Sequence, residues 1–136
     1  MAHRVVITGV GLMSPVGLGT EQTWQALLAG KSGVSRITHF DASNFACQIA
    51  AELKGFDPLN WIEKKEARKM GRFIHIAIAA GDEALKAAGL QITGEICERV
   101  GVYVASGIGG FDIIEREHKA LLEGGPRRNF ELQRKA

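Results

Sequence analysis

Cysteine is scarce in this chain: two among 136 residues, Cys47 and Cys97. They lie far apart, in no metal-ligand or redox spacing, which favours a reducing compartment and makes the cytoplasm the expected location. Long apolar runs are missing too. None reaches the ~20 residues of a membrane-spanning helix, and the opening MAHRVVITG lacks the apolar core of a signal peptide. Net charge is only +2, so attraction to an anionic partner has to come from a local patch. Repeats are absent, and the only compositionally biased stretch is the basic tail RRNFELQRKA.

What is present fits a soluble globular domain, with 46% hydrophobic and 24% charged residues. A chain of this length buries roughly 68–70% of its unfolded surface. Residues 4–8 (RVVIT) and 99–105 read as buried strands rich in β-branched residues, with a weaker strand over 47–53. Thr20 is a good N-cap for a short helix carrying Trp24, Leu27 and Leu28 on one stripe and stopping at Gly30. Asp57-Pro58 predicts a helical turn. A long apolar helix runs from Met70 to Ala88, stopped by Gly89, and another from Phe111 to Glu123, stopped by Gly124-Gly125-Pro126. Gly81, among alanines inside the long helix, predicts close packing there. Strands alternating with helices indicate an α/β fold with a mostly parallel sheet. Two strong strands are few for such a sheet, so the pattern looks like part of a domain.

The stretch TGVGLMSPVG, residues 8–17, imitates a dinucleotide-binding turn. That reading fails on context. The third small residue would be Ser14, but Pro15 pushes Ser14 out of helical conformation, and no helix opens there. No acid sits at the ribose-binding distance. A tight turn after a buried strand is the plainer reading.

Three constellations stand out. Lys65, Arg68, Lys69 and Arg72 fall at i, i+3, i+4 and i+7, one basic stripe if the segment is helical. It is either a solvated face or a docking surface for an acidic macromolecule, extended by Arg127 and Arg128 if the fold brings them near. Without interleaved aromatics, nucleic acid ranks lower. SGIGG, residues 106–110, follows a predicted strand and precedes a helix. It could bind an anion, allow close backbone approach, or form a structural turn; Ile108 is its one bulky residue. His3, His39, His75 and His118 are scattered, with His75 and His118 reading as core histidines. No histidine pairs with a nucleophile, so the residues spell out no catalytic constellation and no metal site.

The segments VVITGVGLMSPVG, TWQALLAGKSGVSRITHFDAS, KKEARKMGRF, ASGIGG and LLEGGPRR, in this order, resemble the start of a β-ketoacyl-acyl carrier protein synthase of the type II system. The resemblance covers about residues 3–128 and leaves 129–136 as a tail that does not match. It implies a thiolase-like α/β fold, present as an incomplete N-terminal half with a mixed sheet and packed helices. It further implies a homodimer and fatty acid elongation by decarboxylative condensation of acyl and malonyl thioesters. Substrates would ride on the phosphopantetheine arm of acyl carrier protein, with no other cofactor. The family's catalytic cysteine and histidines match no residue of this chain, so the chain alone is expected to be an inactive fragment. The alternative is a non-catalytic carrier-binding module or partner subunit. Carried over by position, Lys65, Arg68, Lys69, Arg127 and Arg128 are implied to contact the carrier, and Ile108 to gate the acyl pocket.

Overall fold

A computed structural model describes residues 4–135, with side chains described as far as Pro126. The elements, in chain order, are β1 (Met13–Ser14), β2 (Gly17–Leu18), α1 (Thr20–Leu28), β3 (Ser35–Arg36), β4 (Ile49–Ala50), α2 (Lys64–Ala67), α3 (Arg72–Ala88) and α4 (Phe111–Lys135), with 3-10 turns at Pro58–Asn60 and Cys97–Arg99.

The rest of the fold is arranged around α3. Gly89 ends it in the left-handed region at φ 62°, returning its N–H toward Leu85 O and Lys86 O. The helix begins at Arg72, not Met70, because Gly71 adopts an extended conformation at φ −75°, ψ 156° and interrupts the run. What reads as one basic helical stretch is therefore two pieces, α2 and α3. At the head of α1 the N-cap is Gly19, at φ 122°, and Thr20 is the first helical residue. The Thr20 hydroxyl, expected to cap the helix, donates instead to Val10 O at 3.1 Å. At Asp57-Pro58 the expected turn forms, with Asp57 Oδ1 accepting from Leu59 N at 3.0 Å.

The role of the two glycines in TGVG is now visible. A Cβ on Gly11 would overlap Ala80 O and come within 2.7 Å of Ala84 N. A Cβ on Gly9 would overlap Ala84 O and come within 2.6 Å of Ala88 N. Two residues of extended chain advance roughly 6.6 Å, and four residues of helix advance roughly 6.0 Å. The G-x-G spacing thus matches the Ala80, Ala84, Ala88 spacing, and glycine lets one backbone lie directly on the other.

Both strongly predicted strands need correction. Residues 4–8 and 100–105 carry no ladder; Val5 is 93%, Ile7 85%, Val102 87% and Tyr103 95% exposed. Arg99 belongs to the preceding 3-10 turn. A strand is completed by a neighbour's hydrogen bonds, and no neighbouring strand stands beside either segment among the described residues. Among the described residues the sheets that form are two small antiparallel pairs, β1 with β2 and β3 with β4, in place of the expected mixed sheet. β4 falls inside the weaker predicted strand. The expected stop at Gly124–Pro126 is a break within α4, where Gly125 takes φ 68°, ψ −176°. Gly81, expected at a close contact, is exposed, and a Cβ there would meet nothing within 4 Å. The buried apolar residues are mostly small: Ala26, Ala42, Ala67, Ala79 and Ala120, with Phe56 and Ile62.

Candidate functional site

The chemistry-bearing residues gather at the N-terminal end of α3. α2 is a single turn with an extended N-cap at Glu63 and no capping side chain. It is prolonged by 3-10 bonds from Lys69 N to Glu66 O (3.0 Å) and from Met70 N to Ala67 O (3.3 Å). Lys65, Arg68 and Lys69 are all exposed. Lys69 Nζ pairs with Glu66 Oε1 at 2.8 Å, a solvated contact of ~0.2–1 kcal/mol. Lys65 and Arg68 form no ion pair among the described residues.

Arg72 does not belong to this ridge. Its guanidinium turns back, donating to Leu53 O at 2.8 Å and covering the Phe56 ring at 5.5 Å, and Phe56 in turn stacks on Trp61 at 5.4 Å. The predicted four-cation stripe is therefore three cations, because extended Gly71 rotates the following residue away. The side chains of Arg127 and Arg128 lie outside the described residues.

The Gly-rich loop reaches the same place. Ser106 Oγ accepts from Gly109 N at 3.0 Å, and Gly109 takes φ 78°. A Cβ on Gly109 would touch Phe73 at 3.4 Å, and one on Gly110 would lie 2.8 Å from Ile113 Cδ1. A Cβ on buried Gly71 would lie 2.7 Å from that same Ile113 atom. Gly71, Phe73, Gly109, Gly110 and Ile113 thus seat the loop on the first turn of α3, just beyond the basic ridge. Ile108 stands at the loop's tip, 70% exposed. Alongside lies an apolar cleft of about 1060 Å³, between α3 (Ile74, Ile78, Leu85), Leu12, Val102 and residues 104–106, which Ile108 does not line.

Among the described residues, which exclude His3, the remaining titratable groups form no catalytic set. Cys47 and Cys97 are exposed free thiols facing the backbone carbonyls of Ile49 and Gly94. His118, expected in the core, is exposed. His75 is half-buried and satisfied, its Nε2 donating to Ala67 O at 2.9 Å. No cluster of three metal-ligating side chains occurs among the described residues, and no helix is long and apolar enough to cross a membrane.

Two acids do structural work that the sequence did not signal. Glu83 accepts from Leu12 N (3.0 Å) and Thr20 N (2.5 Å). Glu52, buried, accepts from the Thr38 hydroxyl (2.7 Å), Thr38 N (2.9 Å) and His39 N (3.2 Å). The Thr38 hydrogen bonds, hydroxyl first, hold the Glu52 carboxyl below its ordinary 4.5 and outweigh the opposing effect of burial. Their partners are 13 to 71 positions away, so no local pattern could have revealed them.

The sequence model of the family described as "Beta-ketoacyl synthase, N-terminal domain" matches residues 2–132. The chain belongs to that family. It is 54% identical over 126 residues to 3-oxoacyl-[acyl-carrier-protein] synthase 2 of Vibrio harveyi, and 50% identical to the protein of the same name from Coxiella burnetii. Each alignment covers 93% of this chain and 30% of the relative, so the chain spans about 30% of the length of these curated relatives. Among solved structures, a Beta-ketoacyl synthase from Burkholderia phymatum superimposes with a TM-score of 0.71 at 33% identity, covering 91% of this chain and 31% of that one. Another neighbour, a type II PKS acyl-carrier protein in complex with its ketosynthase, gives 0.72 at 32% identity, covering 94% and 34%. The fold class is accordingly that of the thiolase-like ketosynthases, here as an N-terminal part.

Proposed function

We propose that this chain is the carrier-docking, N-terminal part of a cytoplasmic, homodimeric 3-oxoacyl-acyl carrier protein synthase, which elongates acyl chains by decarboxylative condensation with malonyl thioesters. One observation carries the reading. Three exposed cations, Lys65 on α2 and Arg68 and Lys69 on the 3-10 extension that follows it, stand at the same end of α3 that seats the Ser106–Gly110 loop. An acidic carrier helix meeting this ridge would bring its phosphopantetheine arm to the loop, with Ile108 placed to meet the acyl group. The solved complex of a carrier protein with a related ketosynthase supports the reading by likeness. By the family resemblance Arg127 and Arg128, whose side chains lie outside the described residues, are proposed to contact the carrier as well. The substrates arrive on the carrier's own arm, so the reading calls for no further cofactor.

Condensation itself needs an activated thiolate and stabilisation of the developing oxyanion. Neither Cys47 nor Cys97 matches the family's nucleophile, so the 136-residue chain is expected to release no 3-ketoacyl product when given acyl and malonyl thioesters. The docking reading is tested by reversing Lys65, Arg68 and Lys69 to Glu and titrating acyl carrier protein at low salt. Rim charge pairs contribute ~0.2–1 kcal/mol each and act mainly through steering and repulsion. The reversal should weaken association and flatten its salt dependence. Unchanged affinity returns the ridge to a solvated face.

A further inference from the structure

We propose that His75 is a positioning residue for the docking ridge, holding α2 in the conformation that aligns Lys65, Arg68 and Lys69; this rests on the docking reading above. A four-residue helix is far below the length at which an isolated helix persists, and α2 has no capping side chain. Its C-terminal carbonyls are groups that a helix leaves without partners of its own. Ala67 O receives a long 3.3 Å bond from Met70 N and a shorter 2.9 Å bond from His75 Nε2. Among the described residues, the His75 bond is the hydrogen bond that ties the end of α2 to the body of α3. On the other side, Ile62 and Ala67 are buried, and Ile62 N donates to Pro58 O at 2.9 Å. Arg72, stacked on Phe56 and bonded to Leu53 O, fixes the start of α3 but makes no described bond to α2. Without the His75 N–H, the single turn frays, and the three cations no longer share one face.

The consequence is conformational. The apparent Kd rises in inverse proportion to the fraction of chains with α2 formed, so a drop in that fraction to between a third and a tenth raises it roughly three- to tenfold. The test uses the full 136-residue chain, acyl carrier protein titration, and amide hydrogen exchange of residues 64–70 and of α3. His75→Leu should raise the Kd by that factor and speed exchange at Arg68, Lys69 and Met70, while α3 keeps its protection. His75→Gln, which keeps an N–H donor, should restore both. Weak binding after the triple Glu reversal together with unchanged Kd in His75→Leu overturns the inference and leaves the docking reading intact. No effect of the triple reversal overturns the docking reading instead, and His75 then loses its docking role with it. Loss of protection throughout α3 in His75→Leu overturns the inference as well, since His75 would then support the whole fold.

Discussion

The carboxylate of Glu83, midway along α3, accepts a 2.5 Å hydrogen bond from the Thr20 amide at the head of α1. Its other oxygen accepts from Leu12 N at 3.0 Å, so one side chain joins α3, the turn before β1, and the N-terminus of α1. The position suits a carboxylate because the first amides of a helix are unpaired and carry the positive end of its dipole. No residue of α1's own neighbourhood supplies a capping side chain. Glu83→Ala should lower unfolding free energy by about 2–3 kcal/mol, as expected for bonds to a charged group whose partners are left open. Glu83→Gln should cost less, since a neutral oxygen still accepts. Denaturant melts of the three proteins give the comparison, and an alanine variant within 0.5 kcal/mol of the parent would contradict the assignment.

Glycine at position 11 is required by contact, and at position 81 it is not. Gly11→Ala drives a methyl group into Ala80 O, and overpacking of this kind costs roughly 1–3 kcal/mol. Gly81→Ala meets open space inside a helix and should gain up to about 1 kcal/mol. The two substitutions therefore have opposite signs. Thermal melts of the pair check the ordering.

Stability should fall in acid through Glu52. Its carboxyl is held below 4.5 in the folded chain, first by the Thr38 hydroxyl, then by Thr38 N, with His39 N and the His39 ring contributing less. A depressed folded pKa means that the unfolded chain binds the proton more readily. The contribution is complete above about pH 4.5 and is lost as pH falls through the lower folded value. Glu52→Gln should flatten the stability profile in that acid window and leave the slope near neutrality unchanged. A parent and variant with parallel profiles between pH 5 and 3 would remove Glu52 from the account.

Much of this was legible in the sequence where the cause is local. Gly89, Asp57-Pro58 and the 3.6-residue apolar period over Phe73–Leu85 produced the elements they signal. The nucleotide-loop reading of TGVG was set aside from Pro15 and the missing ribose-binding acid, but the true reason for the glycines lies on α3, some 70 positions away. The extended segments were misread for the opposite reason. Val5, Val6 and Ile7 have strand chemistry, but a strand needs a partner, and its partner is not among the described residues. At the site, Lys65, Arg68 and Lys69 could be picked out by spacing, whereas the loss of Arg72 from their ridge follows from the conformation of Gly71, which glycine permits without announcing.

The same unpaired segments predict how the 136-residue chain behaves in solution. Residues 102–104 present Val102 at 87%, Tyr103 at 95% and Val104 at 67% exposure, extended and without a ladder. An unpaired apolar extended segment is a template for pairing with another chain, and the apolar cleft beside it enlarges the sticky surface. Self-association should therefore rise with concentration at neutral pH. Val102 and Val104 line the cleft wall, so placing lysine at both interrupts the template with charge and costs little where so little of either side chain is covered. Sedimentation velocity across a hundredfold concentration range should show the parent shifting to larger species and the Val102→Lys/Val104→Lys variant remaining small. A variant that associates as strongly as the parent would place the interface elsewhere, with exposed Val5 and Ile7 as the next segment to charge.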